Sequence, residues 1–143
     1  MVDYIQLKIV NLYKTLGLHE LQYIHRDIKP ENFLMGVNKE KNIVHLIDFG
    51  LSKRYIDKNN KHIPLHTDKD VIGTKRYLSL NVLSGNTPSR RDDLISVIYI
   101  LIFFRRGDLP WNKIDLKYKN QPEIERKKLQ LKLREVKGLS NLF

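Results

Sequence analysis

The sequence predicts an α+β fold, mainly α-helical, with one short β-hairpin. Three stretches carry that expectation: a helical-period apolar pattern over residues 3 to 18, two short strand-forming runs at 33–35 and 43–47, and a long apolar helix signal beginning near Ser89.

In the first stretch Ile5, Ile9, Leu12 and Leu16 recur at helical spacing, Leu7, Val10 and Tyr13 widen the stripe, and Asp3 suits a first turn. This reads as a core-facing helix interrupted near Gly17. Phe33-Leu34-Met35 and Ile43-Val44-His45-Leu46-Ile47 are rich in strand formers and are joined by polar Asn38-Lys39-Glu40-Lys41-Asn42, so they read as a hairpin. Its two ends are Asn32 and Asp48. Residues 51 to 72 are polar and basic, and their length and composition predict a surface loop. Arg26 is expected to anchor that loop by charge, with no partner identifiable from the sequence.

Ser89-Arg90-Arg91-Asp92 then gives a capping-box signal, Leu94 to Phe104 is apolar on nearly every side, and Arg105-Arg106-Gly107 closes the helix. Such a helix must be buried. Leu109-Pro110-Trp111 turns the chain, and Pro122 opens a last helix that ends before Gly138 and carries Arg126, Lys127, Lys128, Lys132, Arg134 and Lys137. That basic face reads as solvated surface or as a contact for a nucleic acid or an acidic partner.

Bulk properties narrow the function classes. With 143 residues the chain is long enough for a real core, and 41% hydrophobic and 29% charged residues fit a soluble domain. The absence of cysteine excludes disulfides and thiolate metal sites and fits a reducing compartment. Met1-Val2-Asp3 lacks the basic start of a secretory signal, and the apolar run Val97 to Phe104 is too short to span a bilayer. A cytoplasmic or nuclear protein with no membrane partner is expected. The net charge of +10 predicts attraction to polyanions without choosing among nucleic acid, anionic lipid and acidic protein.

Chemistry is concentrated in His25-Arg26-Asp27-Ile28-Lys29-Pro30-Glu31-Asn32 and in Asp48-Phe49-Gly50. The first run is similar to the protein-kinase catalytic-loop pattern H-R-D-x-K-x-x-N and the second to the metal-binding D-F-G, in the order and at the separation that pattern has. Transfer of a phosphoryl group from ATP is mostly a matter of positioning and charge neutralisation, so carboxylates, one amide and one ammonium suffice. Asp27 is expected to orient the substrate hydroxyl and accept its proton, with Lys29 beside the transferred phosphate. Asn32 and Asp48 offer the oxygen ligands that Mg²⁺ prefers. His25 reads as a packed scaffold residue rather than an acid or base.

From about His19 to Trp111 the chain resembles the casein kinase I family of serine/threonine kinases. The resemblance is carried by His25 to Asn32, Phe33-Leu34-Met35-Gly36, Leu46 to Lys53, His62-Ile63-Pro64, Gly73-Thr74, Arg76-Tyr77, Ser89 to Asp93 and Leu109-Pro110-Trp111. Most kinases carry Ala-Pro-Glu after the activation segment, whereas Ser79-Leu80-Asn81 here is close to the Ser-Ile-Asn of this family. The resemblance implies a C-terminal kinase lobe that uses ATP and Mg²⁺. Asp27 is then the base, Lys29 the phosphate contact, Thr74 their brace, Asn32 and Asp48 the metal ligands, and Asp93 the aspartate that bonds the catalytic-loop backbone. Arg76, with Lys75 beside it, lies where the family reads acidic or phosphorylated protein substrates.

Departures are as informative. Ile98 stands where a glycine is common on the buried helix, and the basic segment after the tryptophan is diluted to Tyr118-Lys119-Asn120-Gln121-Pro122. No G-x-G-x-x-G occurs among the seven glycines, and no strand carries the lysine that pairs ATP phosphates with a helix glutamate. The expectation is therefore an incomplete kinase domain, with an N-terminal lobe supplied by a parent chain and negligible activity alone. Two alternatives stand beside it: a non-catalytic module that binds substrates or partners, and a nucleic-acid binder supported by charge alone.

Overall fold

The computed structural model describes residues 4–109 and 111–112, with side chains from Leu12 onward. The basic helix expected over 121–137 and the segment Tyr118 to Pro122 lie outside the described residues.

Helix α1 (Tyr4–Glu20) runs without a break through Gly17, where the sequence predicts an interruption. A glycine inside a helix costs only about 1 kcal/mol, and packing of α1 against neighbouring elements outweighs it. The buried face of its last turns also differs from the expected stripe. Leu12 is 41% and Tyr13 67% exposed, whereas Thr15 and His19, four residues apart on one face, are buried.

Strand β1 (Tyr23–Ile24) follows, and then the hairpin of β2 (Phe33–Met35) and β3 (Val44–Leu46). The hairpin pairs Phe33 with Leu46, Leu34 with His45 and Met35 with Val44, as its strand-forming runs predict. A 3-10 turn at Asn38–Glu40 closes it. Strand β4 (Lys53–Arg54) lies inside the stretch expected to be loop and pairs antiparallel with β1, Tyr23 opposite Arg54 and Ile24 opposite Lys53. Beyond Tyr55 the chain to Asp70 is largely exposed, with an isolated bridge between Ile56 and His62.

A short helix α2 (Leu80–Leu83) precedes α3 (Arg90–Arg106). The caps of α3 are those its sequence announces: Asp92 accepts from the Ser89 N–H at 2.7 Å, and Gly107 ends the helix at φ 76° with its N–H on the Phe103 carbonyl. Val97 and Ile100 on α3 are fully buried and form the core with Ile28, Tyr77, Tyr99, Ile102, Leu109 and Trp111. Ile98 is half-buried and packs against the same cluster, so the side chain that replaces a small residue here is accommodated. Burial of α3 is not complete, since Phe104 remains 38% exposed. Ile28 ties the loop between β1 and β2 directly to this core, which gives the candidate site a rigid floor.

Candidate active site

The loop from His25 to Asn32 is held from beneath by Asp93, near the start of α3. The Asp93 carboxylate accepts from the His25 N–H at 2.8 Å and the Arg26 N–H at 3.0 Å, and it faces His19 Nε2 at 2.9 Å. These contacts hold Arg26 at φ 69°, a left-handed conformation that a residue with a Cβ rarely adopts. His25 works from the other side. Its Nε2–H donates to the Ile47 carbonyl at 3.0 Å while Nδ1 accepts from the Asp27 N–H at 3.3 Å, which defines the tautomer and links the loop to the strand leading into Asp48. The ring also meets Phe49 edge-on at 5.4 Å.

Asp27 is buried and both of its oxygens are engaged. Oδ1 accepts from the Thr74 N–H at 2.8 Å and the Thr74 hydroxyl at 2.7 Å, and Oδ2 accepts from Lys29 Nζ at 2.7 Å. Lys29 Nζ also reaches Thr74 Oγ1 at 3.3 Å, closing a three-residue network. Burial by itself would push the Asp27 carboxyl up, but the hydrogen bonds from Lys29 and Thr74 outweigh it and hold the group below the ordinary carboxylate range. The bond to Asp27 pushes the Lys29 ammonium above its usual value against desolvation, and the charges of Asp27, Glu31 and Asp48 add to that.

Gly73 makes the network possible. Its φ is +102°, and a Cβ there would lie 2.4 Å from the Arg26 carbonyl oxygen, so only glycine lets the chain pass close enough to present Thr74 to Asp27.

Asn32 and Asp48 flank the same end of the hairpin. The Ile47 N–H donates to the Asn32 carbonyl at 3.0 Å, one residue before Asp48. The Asn32 Nδ2 donates to the Asp27 carbonyl at 2.8 Å, which leaves its Oδ1 without a hydrogen-bond partner among the described residues. Asp48 sits at φ 62° with an exposed carboxylate that accepts only weakly, from the Gly50 N–H at 3.4 Å. One amide oxygen and one open carboxylate are hard oxygen donors and fit Mg²⁺. Among the described residues no group of three or more His, Cys, Asp or Glu side chains is placed to hold a metal, so an ion bound here relies on these two and on oxygens of a nucleotide.

The remaining expected residues lie elsewhere or behave differently. Arg26 does anchor the segment after Asp48, but through its Nε–H on the Leu51 carbonyl and not through an ion pair. Burial lowers the Arg26 guanidinium from its ordinary value, with the Asp93 charge opposing. Lys75 and Arg76 follow Thr74 in a 3-10 turn. Lys75 is exposed, whereas Arg76 does not stand free: its Nη2 donates to Asp108 Oδ1 at 3.0 Å.

Three participants escape a reading of the sequence. His19 pairs with Asp93 across 74 positions, and Asp108 pairs with Arg76 across 32. Asp92 does more than cap α3, since it accepts from the Ser79 hydroxyl at 2.6 Å and from Asn81 Nδ2 at 3.2 Å. The doublet Asp92-Asp93 is the one local signal available, because a cap needs only one acid.

Loop, hairpin and Thr74 are thus tied into one network around Asp27. The family model of the protein kinase domain matches residues 8–141. The match covers nearly the whole chain, which belongs to the protein kinase family. Members of that family generally use ATP and Mg²⁺.

Proposed function

We propose that this chain carries the phosphoryl-transfer machinery of a serine/threonine kinase of casein kinase I type, directed at serine or threonine in acidic or phospho-primed protein segments. The observation that carries the reading is the Asp27 carboxylate clamped by Lys29 and Thr74 at 2.7 Å each. Kept ionised by those bonds, Asp27 accepts a hydrogen bond from the substrate hydroxyl and receives its proton. The hydroxyl oxygen forms a bond to the γ-phosphorus of ATP, the bond from that phosphorus to the β,γ-bridging oxygen breaks, and ADP leaves. Lys29 sits beside the transferring group and offsets its charge. Mg²⁺, when bound through Asn32 and Asp48, supplies charge neutralisation at the phosphate oxygens. A Gly-rich loop and its paired lysine come from an N-terminal kinase lobe, and the setting is cytoplasmic or nuclear.

Support for the casein kinase I assignment comes from Ser79 and Asn81, which both bond Asp92 where most kinases carry Ala-Pro-Glu. The test is Mg²⁺-dependent transfer from ATP to acidic, phospho-primed and basic peptides, by the chain alone and by the chain extended with an N-terminal kinase lobe. The extended chain is expected to phosphorylate serine and threonine in the acidic and primed peptides and to lose this with Asp27→Asn or Asp48→Ala. The chain alone is expected to be inactive. No transfer by the extended chain would establish the non-catalytic interaction module instead, and undiminished transfer by Asp48→Ala would remove the proposed role of that residue.

A further inference from the structure

We infer that Asp108 is a built-in competitor for the anion site at Arg76, a residue that sets how strongly an acidic or phosphorylated substrate is held. The inference rests on the substrate role proposed above for Arg76.

Arg76 is unusually constrained for a residue on a surface turn. Its guanidinium carbon lies 4.8 Å from the Phe103 ring centre and 5.6 Å from that of Tyr77. Its backbone carbonyl accepts from Trp111 Nε1–H at 2.8 Å, and its Nε is buried without a hydrogen-bond partner among the described residues. Stacking on the two rings favours this position of the guanidinium over one swung out towards an arriving anion. The anion must come to where the guanidinium already is, and Asp108 is there first, at 3.0 Å from Nη2.

Asp108 is held equally well. It directly follows the C-terminal cap of α3 at Gly107, and its Oδ1 accepts from the Leu109 N–H at 2.8 Å and from Asn112 Nδ2. The Arg76 bond falls on the same oxygen. Because the fold has already ordered this carboxylate, it meets Arg76 without the ordering cost that a substrate side chain must pay. An incoming anion therefore finds a neutralised pair in place of a free cation. It either displaces Asp108 or shares Arg76 with it, using N–H donors that the single bond to Asp108 leaves over. In both cases the negative charge of Asp108 opposes binding, and Lys75, the exposed residue that precedes Arg76, only partly compensates.

The experiment measures binding of fluorescein-labelled peptides, one with a phosphoserine and one with glutamate in its place, to the full chain by fluorescence anisotropy. Asp108→Asn keeps an oxygen for the Leu109 N–H while removing the charge, and Asp108→Ser is a second variant that does not depend on how the amide turns. Both are expected to tighten phosphopeptide binding by roughly 3- to 10-fold at low salt, with a smaller gain at high salt. Arg76→Gln is expected to weaken binding and to cancel the gain when combined with Asp108→Asn. If Arg76→Gln weakens binding but neither Asp108 variant strengthens it, the competitor role is wrong and the substrate role of Arg76 stands. If Arg76→Gln has no effect, the substrate role fails and the inference falls with it.

Discussion

His19 Nε2 lies 2.9 Å from Asp93 Oδ2, and neither residue is more than 5% exposed. The same carboxylate holds the His25 and Arg26 amides, so α1, α3 and the His25–Asn32 loop meet at one buried group. Removing one partner of such a group leaves the other buried and unsatisfied, at a cost of about 3–5 kcal/mol. Asp93→Ala is expected to destabilise the chain by about that much in urea titrations. A double-mutant cycle with His19→Ala is expected to show coupling of about 1 kcal/mol or more. Additive effects of the two changes would mean that the contact carries no energy.

Thr74 donates twice to Asp27 Oδ1, and these bonds help to hold the carboxyl below its ordinary range. Thr74→Ala removes the hydroxyl donor, so the Asp27 carboxyl is expected to titrate at higher pH, as followed by carboxyl ¹³C chemical shifts. A carboxyl depressed in the folded state stabilises it above the unfolded value of about 3.9, and that contribution disappears as pH falls through the folded value. Thr74→Ala should therefore flatten the acid limb of the stability curve, and an unchanged Asp27 titration would contradict the network.

Gly73→Ala places a Cβ 2.4 Å from the Arg26 carbonyl oxygen at a φ of +102°. Strain of this kind costs about 1–3 kcal/mol, and backbone cannot yield as a flexible side chain can. Loss of stability in that range is expected in denaturant titrations, together with loss of the depressed Asp27 titration as Thr74 is pushed away. Wild-type stability in this variant would show that the loop does not pass as close to Arg26 as described.

Tyr99 is pushed up to about 12 by burial on the core face of α3, where it packs edge-on against Trp111 at 4.7 Å. A phenol raised from about 10 stabilises the fold fully below that pH, and the contribution is lost as pH rises through the folded value. The difference is worth on the order of 2–3 kcal/mol. Tyr99→Phe is expected to be less sensitive to pH between about 10 and 12 in thermal unfolding. Lys29, also raised, acts in the same direction, so some alkaline loss remains in the variant. Identical alkaline profiles would contradict the burial of the phenol.

What the sequence reveals and what it hides divide by distance along the chain. The hairpin and α3 are legible because strand-forming runs, a capping acid and a terminal glycine act within a few residues of one another. The His25–Asn32 and Asp48–Gly50 runs are legible because the chemistry requires particular residue types at fixed spacing. The ladder between β1 and β4 escapes, since two-residue strands carry no periodicity and Lys53-Arg54 is too polar to suggest pairing. His19 escapes for a related reason. A lone histidine on a helix gains meaning only when Asp93 arrives from 74 positions away. Leu12 and Tyr13 mislead in the opposite sense, because an apolar stripe does not reveal which face the neighbouring elements cover.

On the proposed function, the His25–Asn32 loop and the Asp48 turn present their oxygens to one shared metal and nucleotide. Mn²⁺ substitutes for Mg²⁺ and broadens the NMR signals of nuclei near it, even when binding is weak. Titrated into the chain with ATP, it is expected to broaden backbone amides of residues 27–29, 31–33 and 47–50 first, to lose that effect in Asp48→Ala, and to keep it in Asp57→Ala. Broadening centred elsewhere, or unchanged by Asp48→Ala, would contradict the claim.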